Sequence, residues 1–163
     1  MKIPRRRRLE KKTDYKSRFS LLKSGKNRLI VRKTNRYLIT QLIETNIAQD
    51  KVIIGVTSKD LLELGWPKQK EGSLKSIMAS YLTGILIGKL AKEKRIESAI
   101  FDIGMNRNVS KSRVFALLKG AIDSGMKIPY NPDSLPTEED LLKNQNLKGL
   151  FKLKEKIQGS SNK

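Results

Sequence analysis

The sequence predicts an α/β domain with a basic arm ahead of it and a helical tail behind it, and three observations carry that expectation. Two runs of strand-forming residues, Arg28 to Thr34 and Tyr37 to Thr45, are separated only by Asn35-Arg36, a junction suited to an antiparallel hairpin; a third run, Lys51 to Thr57, extends the sheet. Ser73 precedes Leu74, Ile77, Met78, Tyr81, Leu82, Ile85 and Leu86, whose three-then-one spacing is that of a core-facing helical stripe. Ser98 to Asp102 is then a short buried strand between two helical patterns, which places it parallel to a neighbour through a crossover.

Along the chain, residues 1–12 contain Arg5-Arg6-Arg7-Arg8 and too few apolar groups to fold alone, so they are expected to be a disordered arm. Residues 13–25 suit a helix capped by Thr13, with Asp14 in the first turn, Tyr15 and Phe19 as packing anchors, and Ser24-Gly25 as its stop. The α/β domain occupies residues 26–128. In its hairpin, period-two geometry puts Arg28, Ile30, Arg32 and Thr34 on one face and Leu29, Val31 and Lys33 on the other. The run Val52-Ile53-Ile54 lacks clean alternation, as a strand covered on both faces would. Trp66, the single Trp, is expected to lie over the sheet, and Gly84 and Gly88 to let the long helix approach it closely. The loop Gly104 to Lys111 leads into a helix from Val114 to Ile122 with Gly125 as its stop. Residues 129–163 read as a Pro-containing linker followed by one polar helix. That helix is opened by Thr137 with Asp140 and carries Leu141, Leu142, Leu147, Leu150 and Phe151, and Gly159 to Lys163 should fray.

Charge defines the partner. The chain carries 35 Lys and Arg against 16 Asp and Glu, a formal net charge of +19. Residues 1–36 hold 15 of the bases and only Glu10 and Asp14, a net of +13, so two-thirds of the excess lies in the first fifth of the chain. A solvated face mixes signs, whereas a block this one-sided is an interaction arm for a polyanion, nucleic acid before an acidic membrane surface. Nuclear-localisation and transit-peptide readings fit the composition less well, because four adjacent Arg have no amphipathic spacing.

Several chemistries are excluded. With no Cys and no His there is no zinc finger, no disulfide framework and no Ser–His–Asp or Cys–His arrangement. The longest apolar stretch, Ile77 to Ile87, falls well short of the roughly twenty residues of a spanning helix, so no membrane partner is expected. Gly88-Lys89 lacks the context of a phosphate-binding loop, and no cofactor is implied. Asp102 stands at a strand end, where a ribonuclease H-like nuclease would hold a metal. Glu44, Asp60, Glu63 and Asp123 show no spacing that converges on it, so it reads as a turn or cap residue, and no catalytic or metal site is expected. Metal-dependent nuclease and generic anionic-surface module stand as the alternative readings.

The candidate nucleic-acid-binding residues follow from charge and shape. Arg5, Arg6, Arg7, Arg8, Arg18, Lys23 and Lys26 are assigned to phosphates. Arg28, Arg32, Lys33, Asn35, Arg36 and Tyr37 are assigned to closer recognition, because Asn reads base edges and Arg forks or stacks. Lys68 and Lys70, with Asn106, Arg107, Lys111 and Arg113, are the secondary contacts. The amino end of the helix at Ser110 to Arg113 is either a phosphate site or a plain cap.

A set of motifs then carries a resemblance. They are Thr13-Asp14-Tyr15, Leu21-Leu22-Lys23-Ser24-Gly25-Lys26, Arg28 through Asn35, Ser58-Lys59-Asp60-Leu61, Gly65-Trp66 and Ser80-Tyr81-Leu82-Thr83-Gly84. They continue with Phe101-Asp102-Ile103-Gly104, Ser112-Arg113-Val114-Phe115-Ala116, Ala121 through Gly125 and Ile128 through Asp133. Together they resemble the large-subunit ribosomal protein eighteen family in its archaeal form. The resemblance implies a three-layer α/β sandwich with a mixed sheet of about four strands and ribonuclease H-like, translational-machinery-component topology. It further implies a non-enzymatic protein of the cytoplasmic ribosome. Its partners would be 5S rRNA, large-subunit rRNA and neighbouring large-subunit proteins, with 5S RNA attached at the central protuberance. The tail beyond Pro136 departs from the family in being shorter and more basic.

Overall fold

Leu29, Ile30 and Val31 are buried in succession, so the first strand of the hairpin is covered on both faces and serves as an inner strand of the sheet. This is seen in a computed structural model that describes residues 5–10, 12–46, 49–142 and 152–159. The elements are α1 (Arg6–Leu9), α2 (Tyr15–Leu22), β1 (Arg28–Lys33), β2 (Leu38–Asn46), β3 (Gln49–Thr57), α3 (Ile77–Glu93), β4 (Ile100–Asp102), α4 (Arg113–Asp123), α5 (Glu138–Leu142) and α6 (Lys152–Gly159). The sheet order is β3-β2-β1-β4, with β1–β2 and β2–β3 antiparallel and β4 parallel to β1. The mixed four-stranded sheet predicted from sequence is therefore observed, including the parallel return of the short strand.

One sheet face forms the main core. Leu29, Val31, Leu38, Leu42, Ile54 and Val56 pack against Ile87 and Ala91 of α3 and Val114, Leu117, Leu118 and Ala121 of α4. A second cluster lies on the outer side of α3, where Met78, Tyr81, Leu82 and Ile85 meet Leu61, Trp66, Leu74, Leu141, Leu153 and Ile157. Because it is apolar nearly all round, α3 forms the middle layer between the sheet and the C-terminal segments.

Several expectations are corrected by this arrangement. Trp66 does not lie over the sheet; it is buried against α3, where its Nε1–H donates to the Lys70 carbonyl at 3.0 Å. The cap of α3 is Ser76, whose Oγ accepts from Ala79 N–H at 3.2 Å, while Ser73 ends a short 3-10 segment. Gly84 and Gly88 serve a helix–helix contact and not a helix–sheet one. A Cβ on Gly84 would collide with the Leu117 carbonyl, one on Gly88 with Ser124, and one on Gly120 with the Tyr81 carbonyl, so α3 and α4 touch backbone to backbone. The irregular run in β3 reflects an edge strand with a bulge: Leu42 pairs with Ile54 and Ile43 with Val52, which leaves Ile53 unopposed and Val52 exposed.

At the N-terminus the cap of α2 is Asp14, accepting from Lys16 and Ser17 N–H, and not Thr13. No residue of α2 is buried, so Phe19 is not a packing anchor: it is 61% exposed, with the Lys23 ammonium over its ring at 4.9 Å. Within the arm, Arg6–Leu9 form one exposed helical turn; Met1 to Pro4 and Lys11 lie outside the described residues.

At the other end the Pro-rich stretch packs onto the domain. Pro136 is buried and its carbonyl accepts from the Lys119 ammonium at 2.8 Å. Thr137 and Asp140 cap α5 reciprocally, as their spacing predicts. Leu147, Leu150, Phe151 and the last four residues lie outside the described set. Leu141, Leu153 and Ile157 show where the polar tail settles, on α3.

Candidate nucleic-acid interface

The basic residues divide according to whether a carboxylate already holds them. Arg28 is the clearest case. Its side chain is 1% exposed, with Nη1 donating to Asp102 Oδ2 at 3.0 Å and Nη2 donating to Asp50 Oδ1 at 2.6 Å and to Thr45 Oγ1 at 3.0 Å. This ties β1 to β4 on one side and to the paired strands β2 and β3, at Thr45 and Asp50, on the other. Arg28 is therefore withdrawn from the surface set, since a guanidinium buried between two carboxylates has no face left for RNA.

Two further candidates join the same network. Arg18 of α2 reaches Asp50 at 2.9 Å, the ion pair that fastens this otherwise unburied helix to the sheet. Burial pushes the Asp50 carboxyl up, but hydrogen bonds from Thr45, Arg18 and Arg28 outweigh it and hold the group below its ordinary value. Arg32, still 43% exposed, donates from Nη1 to the Val31 carbonyl at 2.8 Å and lies 3.6 Å from Asp102. Gly104 makes that position available, because a Cβ there would strike the guanidinium, and its left-handed backbone, φ +57°, suits Gly.

Asp102 is thus a counter-ion and turn residue. Its Oδ2 accepts from Arg28 and its Oδ1 from Gly104 N–H at 2.8 Å. Asp60 is occupied with capping, accepting from Thr57 N–H at 2.9 Å, and Asp123 accepts from the Tyr81 hydroxyl at 2.8 Å. Among the described residues no three His, Cys, Asp or Glu side chains are grouped to hold a metal. The carboxylates a nuclease would need are spent on structure, and that alternative finds no support. No helix among the described residues is long and apolar enough to cross a membrane.

The remaining cations lie toward the two ends of β1. At its beginning are Lys23 and Lys26, both exposed, with α2 and the arm leading into them. Within the arm, Arg6 is paired to Glu10 at 2.9 Å, Arg7 donates to Thr13 Oγ1 at 3.0 Å, and Arg5 lies over the Tyr15 ring at 4.7 Å. At the far end of β1 the hairpin turn is held by Thr34, whose hydroxyl donates to the Tyr37 carbonyl and accepts from Arg36 and Tyr37 N–H. This leaves Asn35 and Arg36 exposed at the tip beside Lys33, while the Lys59 ammonium sits over the Tyr37 ring at 4.7 Å.

Because β4 runs parallel to β1, the loop that follows it comes to the same end and brings Asn106, Arg107 and Arg113 beside Lys33. Lys111 also lies on this loop but is paired with Asp140 at 3.1 Å. Lys68 and Lys70 sit apart, in the 3-10 segment before α3. The structure therefore does not gather the candidates into one patch. Five residue steps of β1 separate the two groups, about 17 Å at the usual strand rise. Lys59, outside the set of binding residues singled out from the sequence, joins them only through its contact with the Tyr37 ring, a pairing its sequence neighbours do not mark.

The family described as ribosomal large subunit proteins 60S L5 and 50S L18 matches residues 1–97 and 89–131. The large ribosomal subunit protein uL18 of Aeropyrum pernix is 45% identical over 139 residues, covering 85% of this chain and 63% of that protein. Its counterpart in Haloarcula marismortui is 44% identical over 134 residues, covering 82% and 70%, and that in Methanothermobacter thermautotrophicus is 41% identical over 137 residues, covering 84% and 69%. The chain thus spans just under two-thirds of the Aeropyrum relative's length. On these matches the chain belongs to the family of large-subunit ribosomal proteins 60S L5 and 50S L18, whose members are structural proteins and not enzymes.

Proposed function

We propose that the chain is a structural constituent of the large ribosomal subunit in the cytoplasm, where it binds 5S rRNA and helps attach it at the central protuberance beside large-subunit rRNA and neighbouring ribosomal proteins. The observation that carries this reading is the placement, toward both ends of one buried strand, of cations with no ion pair among the described residues, on a chain of this family. Folded RNA offers phosphates along its backbone and unstacked bases at loops, and the two groups of cations suit those two features. Arg5, Arg7, Arg8, Lys23 and Lys26 neutralise phosphates. Lys33, Asn35, Arg36 and Tyr37, held by the Thr34-stapled turn, supply recognition, with Arg32 contributing through its exposed half.

The test is binding to 5S RNA and to a size-matched RNA over a salt series. A preference for 5S RNA that persists as salt rises supports the reading; equal binding that collapses with salt leaves only polycation behaviour and refutes it. Removing residues 1–12 should weaken both RNAs and flatten the salt slope, whereas Asn35→Ala and Arg36→Ala should erode the preference.

A further inference from the structure

Between the end of β1 and the amino end of α4 lies a cavity of about 350 Å³, and its lining is of two kinds. Lys33, Arg107 and Arg113 converge on it, and among the described residues none of the three is in an ion pair, unlike Arg18, Arg28, Arg32 and Lys111. Ile77, Val109 and Val114 form the apolar part of the wall. Ser112 lines it as well; it is the residue before the first turn of α4, yet its hydroxyl makes no capping bond, and the Oγ is buried with no hydrogen-bond partner among the described residues. The first N–H groups of an eleven-residue helix are thus left without a side-chain cap beside three cations that have no ion pair among the described residues. Asn106 is fixed at the rim by donating from Nδ2 to the Ile103 carbonyl at 2.8 Å and to the Val31 carbonyl at 3.2 Å.

We infer that this cavity receives a single unstacked RNA nucleotide, its phosphate held by Lys33, Arg107, Arg113 and the amino end of α4, and its base lodged against Ile77, Val109 and Val114. Size decides between a nucleotide and a bare phosphate. The volume corresponds to roughly a dozen waters at about 30 Å³ each, within the range of small-ligand pockets, so a phosphate alone would leave the apolar wall wet. Arg forks bind phosphate bidentately, and a guanidinium plane can also stack on a base, which suits a site without an aromatic platform. This inference deepens the proposed function and rests on the reading that the chain binds ribosomal RNA.

The experiment uses the full chain in two arms. In the first, amide resonances are followed during titration with adenosine 5′-monophosphate, adenosine and inorganic phosphate. The nucleotide should shift residues 112 to 116 at millimolar concentrations, with phosphate about tenfold weaker and adenosine weaker still. Val109→Trp, at a 53% exposed loop position, fills the cavity without removing charge and should abolish those shifts. In the second arm, Val109→Trp should lower affinity for 5S RNA about tenfold and make the salt slope shallower by no more than the single phosphate it displaces, about 0.9, whereas Lys33→Gln with Arg113→Gln should lower affinity and slope while leaving the apolar wall open to the base. Equal responses to phosphate and nucleotide, or wild-type RNA affinity in Val109→Trp, would overturn the inference. If 5S preference is retained in that last case, the proposed function survives alone; nucleotide capture by a chain without 5S preference would leave the cavity site standing and remove the function.

Discussion

Replacing Arg28 by Met separates a structural arginine from an RNA-binding one. Arg28 makes two hydrogen bonds to carboxylates and one to Thr45, from a side chain that is 1% exposed. Breaking a buried ion pair by removing one partner costs about 3–5 kcal/mol, because the other charge stays buried. Here the lower end applies. Asp102 keeps Arg32 at 3.6 Å and the Gly104 N–H, Asp50 keeps Arg18 at 2.9 Å and Thr45, and Met retains the apolar stem of the side chain.

The expected loss is therefore about 3 kcal/mol in denaturant unfolding, or roughly 6–12 °C in Tm for a chain of this size. RNA affinity, measured where the variant remains folded, should stay within about twofold of wild type with the same salt slope, since no phosphate contact is lost. Lys26→Met, on an exposed neighbour, should show the opposite signature: unchanged stability and a slope shallower by about 0.9. A stability change below about 1 kcal/mol in Arg28→Met, together with that shallower slope, would refute the assignment of Arg28 to the network.

Two other perturbations test the frame. Asp50 has a folded-state carboxyl held below its ordinary value, so its contribution to stability is present above about pH 4 and is lost as pH falls through the depressed value; Asp50→Asn should therefore be less stable at neutral pH and show a shallower acid limb in unfolding followed by circular dichroism. Gly84→Ala gains about 1 kcal/mol of helix propensity but drives a methyl into the Leu117 carbonyl, so thermal unfolding should show a net loss of about 3 kcal/mol, whereas the same change at Gly72, with open space around it, should be nearly neutral.

The order of strands and helices was legible because hydrophobic period and turn chemistry are local. Asn35-Arg36 marked the hairpin, and β4 fell between two helical patterns, which left it only a parallel pairing. What escaped depended on partners distant in sequence. Arg28 has the chemistry of a phosphate ligand, and only Asp50 and Asp102, 22 and 74 residues away, make it structural. Gly84 and Gly88 announced a close approach, but whether to sheet or helix is decided by Gly120 and Ser124 on α4. In β3 the non-alternating run fits a doubly covered strand as well as a bulged edge, and the choice depends on how β2 is registered against it. The same limit holds for the interface. A charge block shows that a polyanion is the partner, while the cations left free are known only once each carboxylate has been placed.

That distinction changes what the salt dependence should be. The primary candidate set contains eleven cations. Four of them, Arg6, Arg18, Arg28 and Arg32, face Glu10, Asp50 or Asp102 in the folded chain. A cation already matched by a carboxylate displaces no counterion condensed on RNA without first giving up its partner, and for the Asp50 and Asp102 pairs that exchange would expose or strand a partly buried charge. Only the seven others then contribute fully to counterion release, for an expected slope of log K against log salt of about −5 to −6, where all eleven would give about −8 to −10. Measured with 5S RNA, the steeper value would mean that the ion pairs open on binding and that the acidic residues act as internal competitors for RNA. The shallower one would mean that the network stays closed and that β1 meets RNA as a rigid spacer between two groups of free cations.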